Sequence, residues 1–318
     1  MRIVLLDSFA ADQGEPAWPE LQALGQVVAH PRTDSRLVAQ RCSDAEAVLT
    51  NKVVLSAGII STLPQLRYIG LTSTGTNVVD IDAARARGIA VTNVPAYSTE
   101  SVAQLVFAMV LHFAFDVAGH DRAVKAGRWA RSPDFCFFQQ PLRELAGQTL
   151  AVVGLGAIGK AVARVGAAFR MKVLAAQVPG SATPGRIPLA DTLPLADIVT
   201  LHCPLTESTR GMVDRQFIAA MKPHAILINT SRGPIVDENA LLEALRAGNL
   251  SGVGLDVLTQ EPPPPHHPLL DPTAPWANRL IVTPHLAWGT VESRRRLATT
   301  VAQNLAAFQK GERLNRVD

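Results

Sequence analysis

Short apolar runs that alternate with longer amphipathic stretches constrain the fold of this 318-residue chain most strongly. Such alternation is typical of parallel β-sheets covered by helices. A first series of predicted strands occupies the first third of the chain: Ile3–Leu6, Ala47–Thr50, Leu66–Leu71 and Ile89–Thr92. A second series begins afresh in the middle: Leu150–Gly154, Lys172–Ala176, Ile198–His202, Ala225–Asn229, Gly252–Val257 and Leu280–Thr283. The six later strands suffice for a complete doubly wound sheet, so the pattern predicts two Rossmann-like α/β domains.

Two helical segments predict how these domains are arranged along the chain. The very apolar stretch Val102–Ala118 leads into the second series and must be covered on most faces, by the other domain or by a second subunit. The amphipathic stretch Val291–Phe308 follows the last strand and is expected to return to the first domain. We therefore predict that a dinucleotide-binding domain over 99–287 is inserted into a substrate-binding domain formed by 1–98 and 288–318.

Composition excludes several classes of protein. The 30 basic and 27 acidic residues give a net charge of +3 with no long basic run, which argues against a nucleic-acid partner. Three widely spaced cysteines form no Cys-x-x-Cys pair, which favours a reducing cytoplasm. Polar residues interrupt Val102–Ala118, so we expect a buried helix and no membrane span. His266 and His267 lie in a proline-rich loop and are expected to face solvent, and no metal site is predicted.

A Gly-x-Gly-x-x-Gly motif, residues 154–159, follows a predicted strand and opens a predicted helix. This context is the one that a dinucleotide-binding turn requires. Gly154 would form the tight turn, Gly156 would let a pyrophosphate approach the backbone, and Gly159 would let helix and strand pack closely. The helix N-terminus, at Ala157 and Ile158, would supply N–H groups to the phosphates. The motif therefore predicts a bound nicotinamide dinucleotide.

Gln177 stands where NAD-binding folds usually carry an acidic residue for the ribose hydroxyls. Glutamine can still hydrogen-bond a hydroxyl, but it lacks the negative charge that repels a 2′-phosphate. No arginine follows directly, and Arg186 is the next basic residue along the chain. The sequence therefore leaves NAD and NADP both open, with a slight preference for NAD.

Three charged residues follow strands of the second series: Arg232, Glu261 and His285. Ligands of open α/β sheets bind beyond the carboxyl ends of the strands, so these side chains could meet in one cleft. An arginine fork binds a carboxylate, and a histidine exchanges a proton near neutral pH. A glutamate beside that histidine would favour the imidazolium form. The set predicts acid–base chemistry on a small carboxylate.

Six segments in order carry a resemblance to a known family: Thr74–Asp80, the glycine motif, Leu201–Thr206, Ile228–Gly233, Gly254–Val257 and Thr283–His285. The chain resembles the D-isomer-specific 2-hydroxyacid dehydrogenases over nearly its whole length. Trp129–Cys136 and His285–Trp288 are most similar to glycerate dehydrogenases, also called hydroxypyruvate reductases.

The resemblance implies roles for particular residues. It makes Arg232 the substrate arginine, His285 the general acid/base and Glu261 its partner carboxylate. Amides of the loop formed by Ser73, Thr74 and Gly75 would hold the substrate carboxylate. The cofactor site would be lined, beside the glycine motif, by His202, Pro204, Thr230 and Asp256. A homodimer is the expected assembly.

The function expected from this resemblance is NAD(P)-dependent interconversion of a small 2-oxo acid and its D-2-hydroxy acid. Hydroxypyruvate and glyoxylate are the expected substrates, giving D-glycerate and glycolate. Two alternatives remain open at this point. One is the same reaction on another acid, such as pyruvate or a 3-phosphoglycerate-type substrate. The other is an NAD-sensing protein without catalysis, similar to a co-repressor.

Overall fold

The computed structural model describes residues 1–12 and 18–318. Its internal contacts divide the chain into two compact units. The first unit comprises Met1–Ser98 and Trp288–Asp318, and the second comprises Thr99–Ala287. In sequence, therefore, the second unit is inserted into the first.

The first unit contains a five-stranded parallel sheet with the strand order β2-β1-β3-β4-β5. Its strands are β1 (Arg2–Leu5), β2 (Gln26–Ala29), β3 (Ala47–Thr50), β4 (Tyr68–Leu71) and β5 (Ala90–Thr92). Its helices are α1 (Pro19–Gln22), α2 (Val38–Arg41), α3 (Ala57–Ser61), α4 (Ile81–Ala86) and, after the inserted unit, α11 (Val291–Gln309).

Alternating side chains of β1 enter two different hydrophobic cores, because successive residues of a strand point to opposite faces. Val4 packs on one face of the sheet. Ile3 and Leu5 pack on the other, where Leu297 and Leu305 of α11 complete the core. Helices therefore cover both faces of this sheet, which is why its central strands consist almost entirely of apolar residues.

The second unit contains a six-stranded parallel sheet with the strand order β11-β10-β9-β8-β6-β7. Its strands are β6 (Thr149–Val153), β7 (Lys172–Ala176), β8 (Ile198–Leu201), β9 (Ala225–Asn229), β10 (Leu250–Leu255) and β11 (Leu280–Val282). Its helices are α5 (Thr99–Phe115), α6 (Val117–Lys125), α7 (Ala157–Ala168), α8 (Leu189–Thr192), α9 (Arg215–Ala220) and α10 (Glu238–Ala247). The prediction of two parallel-sheet α/β domains is confirmed.

The apolar stretch 102–118 differs from the single helix that was expected. Asp116 adopts a left-handed conformation with a φ of 41°, so the chain turns there and α6 begins. The Asp116 carboxylate accepts a hydrogen bond from the Gly119 amide and thereby caps α6. Among the described residues no single helix is long and apolar enough to span a membrane, although α5 and α6 together, bent by 52°, meet that criterion by length and composition. Most apolar side chains of α5 are buried within the protein.

Strand β2 is absent from the sequence-based prediction. It forms the edge of the first sheet, and none of its residues is fully buried. A strand needs apolar side chains only where its faces are covered, and the faces of β2 are only partly covered at the edge of the sheet. The remaining strands lie within a few residues of their predicted bounds, since each contains a short apolar run.

Candidate active site

The carboxyl ends of all six parallel strands lie at one edge of the second sheet, and the strand order sets the sequence of residues along that edge. The predicted catalytic residues follow β9, β10 and β11, which are neighbours. The predicted cofactor residues follow β7, β6, β8, β9 and β10. Ligands of such sheets bind beyond this edge, next to the point where the strand order reverses, here between β6 and β8.

His285 and Glu261 form a direct hydrogen-bonded pair. The Nδ1 atom of His285 lies 2.6 Å from Oε2 of Glu261, and the two side chains are 25% and 32% exposed. The other carboxylate oxygen of Glu261 accepts a hydrogen bond from the Leu258 amide at 3.1 Å. Because Nδ1 is engaged, Nε2 is the atom through which the imidazole can exchange a proton with a ligand.

The backbone at His285 is unusual and is held by Asp256. His285 has a φ of 51°, in the left-handed region that few residues other than glycine adopt. The buried Asp256 carboxylate accepts hydrogen bonds from the amides of Leu286 and Ala287, both at 2.9 Å, and from Thr283 Oγ1 at 2.6 Å. The Asp256 carbonyl also accepts a hydrogen bond from the His285 amide. These bonds stabilise the turn that presents the imidazole.

Both carboxylate oxygens of Asp256 therefore accept hydrogen bonds from groups of the protein. The resemblance predicts a different role for this residue, in the lining of the cofactor site. Burial raises the pKa of Asp256 above its usual range, while the hydrogen bonds from Thr283, Ala287 and Leu286 oppose that shift. In this structure the side chain holds the His285 turn. Sequence reasoning missed this role because it depends on contacts thirty residues away along the chain.

Arg232 follows β9 in a loop that packs closely against the Glu261 loop. One guanidinium nitrogen, Nη1, donates a hydrogen bond to the carbonyl of Ser231. At the next residue, Gly233, an added Cβ would lie 2.0 Å from the Leu258 carbonyl group and 2.5 Å from the Thr259 nitrogen. Only glycine permits this approach of two backbones, and the approach brings the loop that carries Arg232 beside the loop that carries Glu261.

The glycine motif has the geometry of a phosphate-binding turn. Gly154 has a φ of 96°, and an added Cβ there would lie 2.7 Å from backbone atoms of residues 202 and 203. An added Cβ at Gly159 would lie 2.0 Å from the Gly154 carbonyl oxygen, so α7 starts in contact with the turn. A Cβ added at Gly156 would have no atom of the described residues within 4 Å, which leaves the first turn of α7, including Ala157 and Ile158, open to a ligand. These features fit a dinucleotide pyrophosphate.

Residues after β8 and β9 form the next part of this edge. Thr200 Oγ1 and His202 Nε2 are 2.9 Å apart, and burial lowers the pKa of His202 to about 3, so its ring is neutral at physiological pH. The Pro204 carbonyl accepts a hydrogen bond from Thr209 Oγ1, and this bond closes a tight turn.

The buried Thr230 Oγ1, after β9, has no hydrogen-bond partner within the described part of the chain. A buried hydroxyl without a partner is costly in a folded protein, so it is a candidate contact for a bound ligand.

Cys203 lies within the same segment but belongs to the hydrophobic core. It is 2% exposed, and burial raises the pKa of its thiol to about 11. A thiol in this state carries no thiolate at neutral pH and is a poor nucleophile.

Gln177 lies directly after β7, at the position expected for a ribose contact. Its Nε2 donates a hydrogen bond to the carbonyl of Ser181 at 2.8 Å, which leaves Oε1 as an acceptor on the other side of the amide. The backbone amide of Gln177 donates to the Ile187 carbonyl and closes the base of the loop that contains Arg186.

In the first unit, the loop after β4 contains Ser73, Thr74 and Gly75. Ser73 Oγ donates to the Gly75 carbonyl, and Thr74 Oγ1 donates to the Val94 carbonyl, both at 2.8 Å. The Val94 amide in turn donates to the Ser73 carbonyl. Within the described residues the three loop amides donate no hydrogen bond. A rigid loop with several such N–H groups can bind an anion such as a carboxylate.

The expectation that His267 faces solvent is wrong. Its side chain is 10% exposed, its Nε2 lies 3.1 Å from Oε2 of Glu238, and its Nδ1 accepts a hydrogen bond from the Leu269 amide. The proline-rich loop folds back onto α10 and buries this imidazole, whereas the neighbouring His266 is exposed. Within residues 1–12 and 18–318 no group of three or more potential ligands is arranged to hold a metal ion.

The fold and this edge define a class, the nicotinamide-dependent dehydrogenases. The model of the D-isomer specific 2-hydroxyacid dehydrogenase NAD-binding domain matches residues 107–287. A hydroxypyruvate reductase from Blautia hydrogenotrophica is 37% identical over the full length of both chains. A glycerate dehydrogenase from Methylorubrum extorquens is 40% identical over 88% of each chain. The crystal structure of the TT0316 protein from Thermus thermophilus covers both chains completely, with a TM-score of 0.86 and 34% identity.

The chain therefore belongs to the D-isomer specific 2-hydroxyacid dehydrogenase family. It is an oxidoreductase that uses a nicotinamide cofactor to interconvert a 2-oxo acid and a 2-hydroxy acid. The resemblance to glycerate dehydrogenases and hydroxypyruvate reductases is confirmed. The alternative of a protein without catalysis is not retained, because these relatives are oxidoreductases.

Substitution of Gly233 by alanine tests the close approach of the loops that carry Arg232 and Glu261. The added methyl group would overlap the backbone at Leu258 and Thr259, so one loop must move. We expect the free energy of unfolding to fall by about 1–3 kcal/mol and kcat to fall about tenfold or more, because Glu261 shifts from His285. Chemical denaturation and steady-state assays measure the two effects. Gly58→Ala is the matched control, since nothing but a serine hydroxyl 3.9 Å away lies near its added Cβ. Equal changes in the free energy of unfolding and in kcat for the two variants would contradict this interpretation.

Proposed function

We propose that this enzyme reduces hydroxypyruvate and glyoxylate to D-glycerate and glycolate, with His285 as the general acid/base. The observation that carries the proposal is the 2.6 Å hydrogen bond between His285 and Glu261 at the ligand-binding edge of the second sheet. The names of the two curated relatives, hydroxypyruvate reductase and glycerate dehydrogenase, support the choice of substrates.

The residues present fit a nicotinamide dinucleotide. The amides at the start of α7 would bind the pyrophosphate above Gly156, Gln177 would bind the adenosine ribose, and Thr230 would supply a hydroxyl. The reduced cofactor, when bound, supplies the hydride that is added to the keto carbon of the substrate. Close packing at Gly154, in the turn, and at Gly159, in α7, holds the amides at the start of α7 in place before the cofactor binds. This lowers the entropy cost of organising the site.

His285 supplies the proton in reduction. In the protonated imidazole, Nε2–H is donated to the carbonyl oxygen of the 2-oxo acid while Nδ1–H remains bonded to Glu261. The Glu261 carboxylate orients the ring, since it accepts the hydrogen bond from Nδ1–H across the short contact. In the oxidative direction the neutral Nε2 accepts the proton of the hydroxyl. Asp256 contributes by holding the turn that aims the ring.

Binding of the substrate carboxylate is assigned to Arg232. A planar guanidinium can bind a carboxylate through two parallel hydrogen bonds and can polarise the adjacent carbonyl. This arrangement suits a 2-oxo acid, whose carboxylate is adjacent to the reacting carbonyl. Within the first unit, the amides of Ser73, Thr74 and Gly75 are neutral donors, and we propose this loop separately as a binding element for a carboxylate.

A substrate panel tests the proposed function. Oxidation of NADH and NADPH is followed with hydroxypyruvate, glyoxylate, pyruvate and 3-phosphohydroxypyruvate as separate substrates. We expect the highest kcat/KM with hydroxypyruvate and measurable turnover of glyoxylate. A higher kcat/KM with pyruvate or with 3-phosphohydroxypyruvate would replace the proposed substrates, and turnover of none of the four acids would overturn the assignment.

Substitution of the two central residues tests their roles. We expect His285→Ala and Arg232→Ala each to lower kcat on the order of 10²-fold or more, because one removes the proton donor and the other the carbonyl-polarising charge. His266→Ala is a control, since this histidine is exposed. Reduction by the unmodified enzyme should also slow as pH rises, because only protonated His285 can donate. Near-normal turnover in either variant, or a flat rate from mildly acidic to clearly alkaline pH, would contradict the mechanism.

We further propose that both NAD and NADP are accepted, with NAD slightly favoured. Gln177 offers an amide to the ribose hydroxyls and has no charge that would repel a 2′-phosphate. Arg186 lies in the loop that Gln177 closes, but it does not follow the strand directly.

Substitution of Gln177 by aspartate tests this explanation of cofactor choice. We expect Gln177→Asp to raise the ratio of kcat/KM for NADH to that for NADPH by roughly tenfold or more, because a carboxylate repels the 2′-phosphate. Gln177→Asn, which keeps a neutral amide, is the matched control and should change the ratio far less. A ratio that stays constant in the aspartate variant would show that another residue governs the choice.

A homodimer acting in the cytoplasm is the proposed state of the enzyme. Exposed apolar side chains are concentrated between residues 111 and 142, among them Val117, Trp129, Phe135 and Phe138. Monomeric proteins rarely leave so many large apolar side chains in water within one segment, so a second copy of the chain is the proposed cover. Three free cysteines fit a reducing compartment. Sedimentation equilibrium, which would give twice the 34.0 kDa mass of one chain, measures the assembly.

A further inference from the structure

Glu238 contacts both ends of the loop that carries Glu261. The loop runs from Val257 to His267, and four of its residues are prolines. At its start, the Thr259 amide donates a hydrogen bond to Glu238 Oε1 at 2.7 Å. At its end, His267 Nε2 lies 3.1 Å from Glu238 Oε2. One carboxylate, on the first residue of α10, therefore ties the two ends of the loop to the same helix.

The hydrogen bonds of His267 establish which of its nitrogens carries the proton. Its Nδ1 accepts a hydrogen bond from the Leu269 amide at 3.3 Å and caps the short helical turn Pro268–Leu270. In a neutral imidazole the other nitrogen then carries the proton, so Nε2–H donates to Glu238. The side chains of His267 and Glu238 are 10% and 21% exposed, which shelters the contact from water. A charge-assisted hydrogen bond in a sheltered position is stronger than a surface ion pair.

Glu261 lies between the two tied points, two residues after Thr259 and six before His267. Its own carboxylate is oriented by the Leu258 amide, which belongs to the same loop. Prolines restrict φ along the loop, but they have no backbone N–H and donate no hydrogen bond that would attach it to the protein. The loop is attached through Glu238 and His267, through the packing of Gly233 against Leu258, and through the burial of the Leu258 side chain in the core.

We propose that Glu238 and His267 are positioning residues for the dehydrogenase reaction, which hold the proline-rich loop so that the Glu261 carboxylate meets His285. This inference rests on the proposed function, in which Glu261 orients His285. Neither Glu238 nor His267 needs to contact substrate or cofactor. Their effect on the reaction passes through the 2.6 Å contact between Glu261 and His285.

A double-mutant cycle tests the proposal. His267→Asn keeps an acceptor that can cap the turn at Leu269, but its shorter side chain cannot reach Glu238. We expect this variant to lower kcat about five- to tenfold with hydroxypyruvate, while the KM for the cofactor changes less than twofold. In a Glu261→Gln background the same substitution should change kcat less than twofold, because the contact it supports is already lost. His266→Asn, a change at the adjacent exposed histidine, should leave kcat unaltered.

The outcomes separate this proposal from the proposed function. Equal fold-losses in both backgrounds would indicate a general structural role and would overturn the proposal. Wild-type kcat in His267→Asn, together with a large loss in Glu261→Gln, would overturn the proposal alone. Wild-type kcat in Glu261→Gln would overturn the role of Glu261 and, with it, this inference. If His267→Asn does not fold, Glu238→Gln replaces it in the double-mutant cycle. The glutamine puts an amide donor in place of the carboxylate oxygen that faces His267 Nε2.

Discussion

The parallel pairing of β6 to β11 is the constraint on which the candidate active site depends. Parallel strands place every carboxyl end at one edge, so six loops distant in sequence become neighbours there. The strand order then determines which loops meet. Glu261 and His285 follow adjacent strands, β10 and β11, and their side chains can form a 2.6 Å contact. Without this pairing the same residues would lie far apart along an extended chain.

Close backbone packing turns this arrangement into a defined geometry. Gly154 and Gly159 let a turn and a helix meet at distances that any side chain would prevent, and Gly233 does the same for the loops that carry Arg232 and Glu261. The buried Asp256 carboxylate then holds His285 in a left-handed conformation through two backbone amides. Such a conformation costs free energy, and it persists because the surrounding hydrogen bonds stabilise it. Rigid support of this kind keeps the imidazole aimed before any ligand arrives.

Much of the fold could be predicted from local patterns, and the failures have identifiable causes. Buried strands such as β3 and β9 are continuous apolar runs, so their bounds could be predicted residue by residue. The edge strand β2 was missed, and it differs from these strands in that none of its residues is fully buried. The break at Asp116 was missed because a single left-handed residue leaves the helical periodicity on either side unchanged. His267 was assigned to solvent because nothing in its neighbouring residues indicates that Glu238 lies beside it.

By itself the sequence determined the class of fold, and it predicted the dinucleotide-binding turn and the roles of Arg232, Glu261 and His285, because each is encoded in a short segment with its own chemistry. Tertiary structure alone decided how these residues are supported. The Asp256 contacts, the backbone approach at Gly233 and the Glu238–His267 pair all join residues at least twenty positions apart. Such contacts follow from strand order and loop packing, and these depend on the whole sheet rather than on any local run of residues.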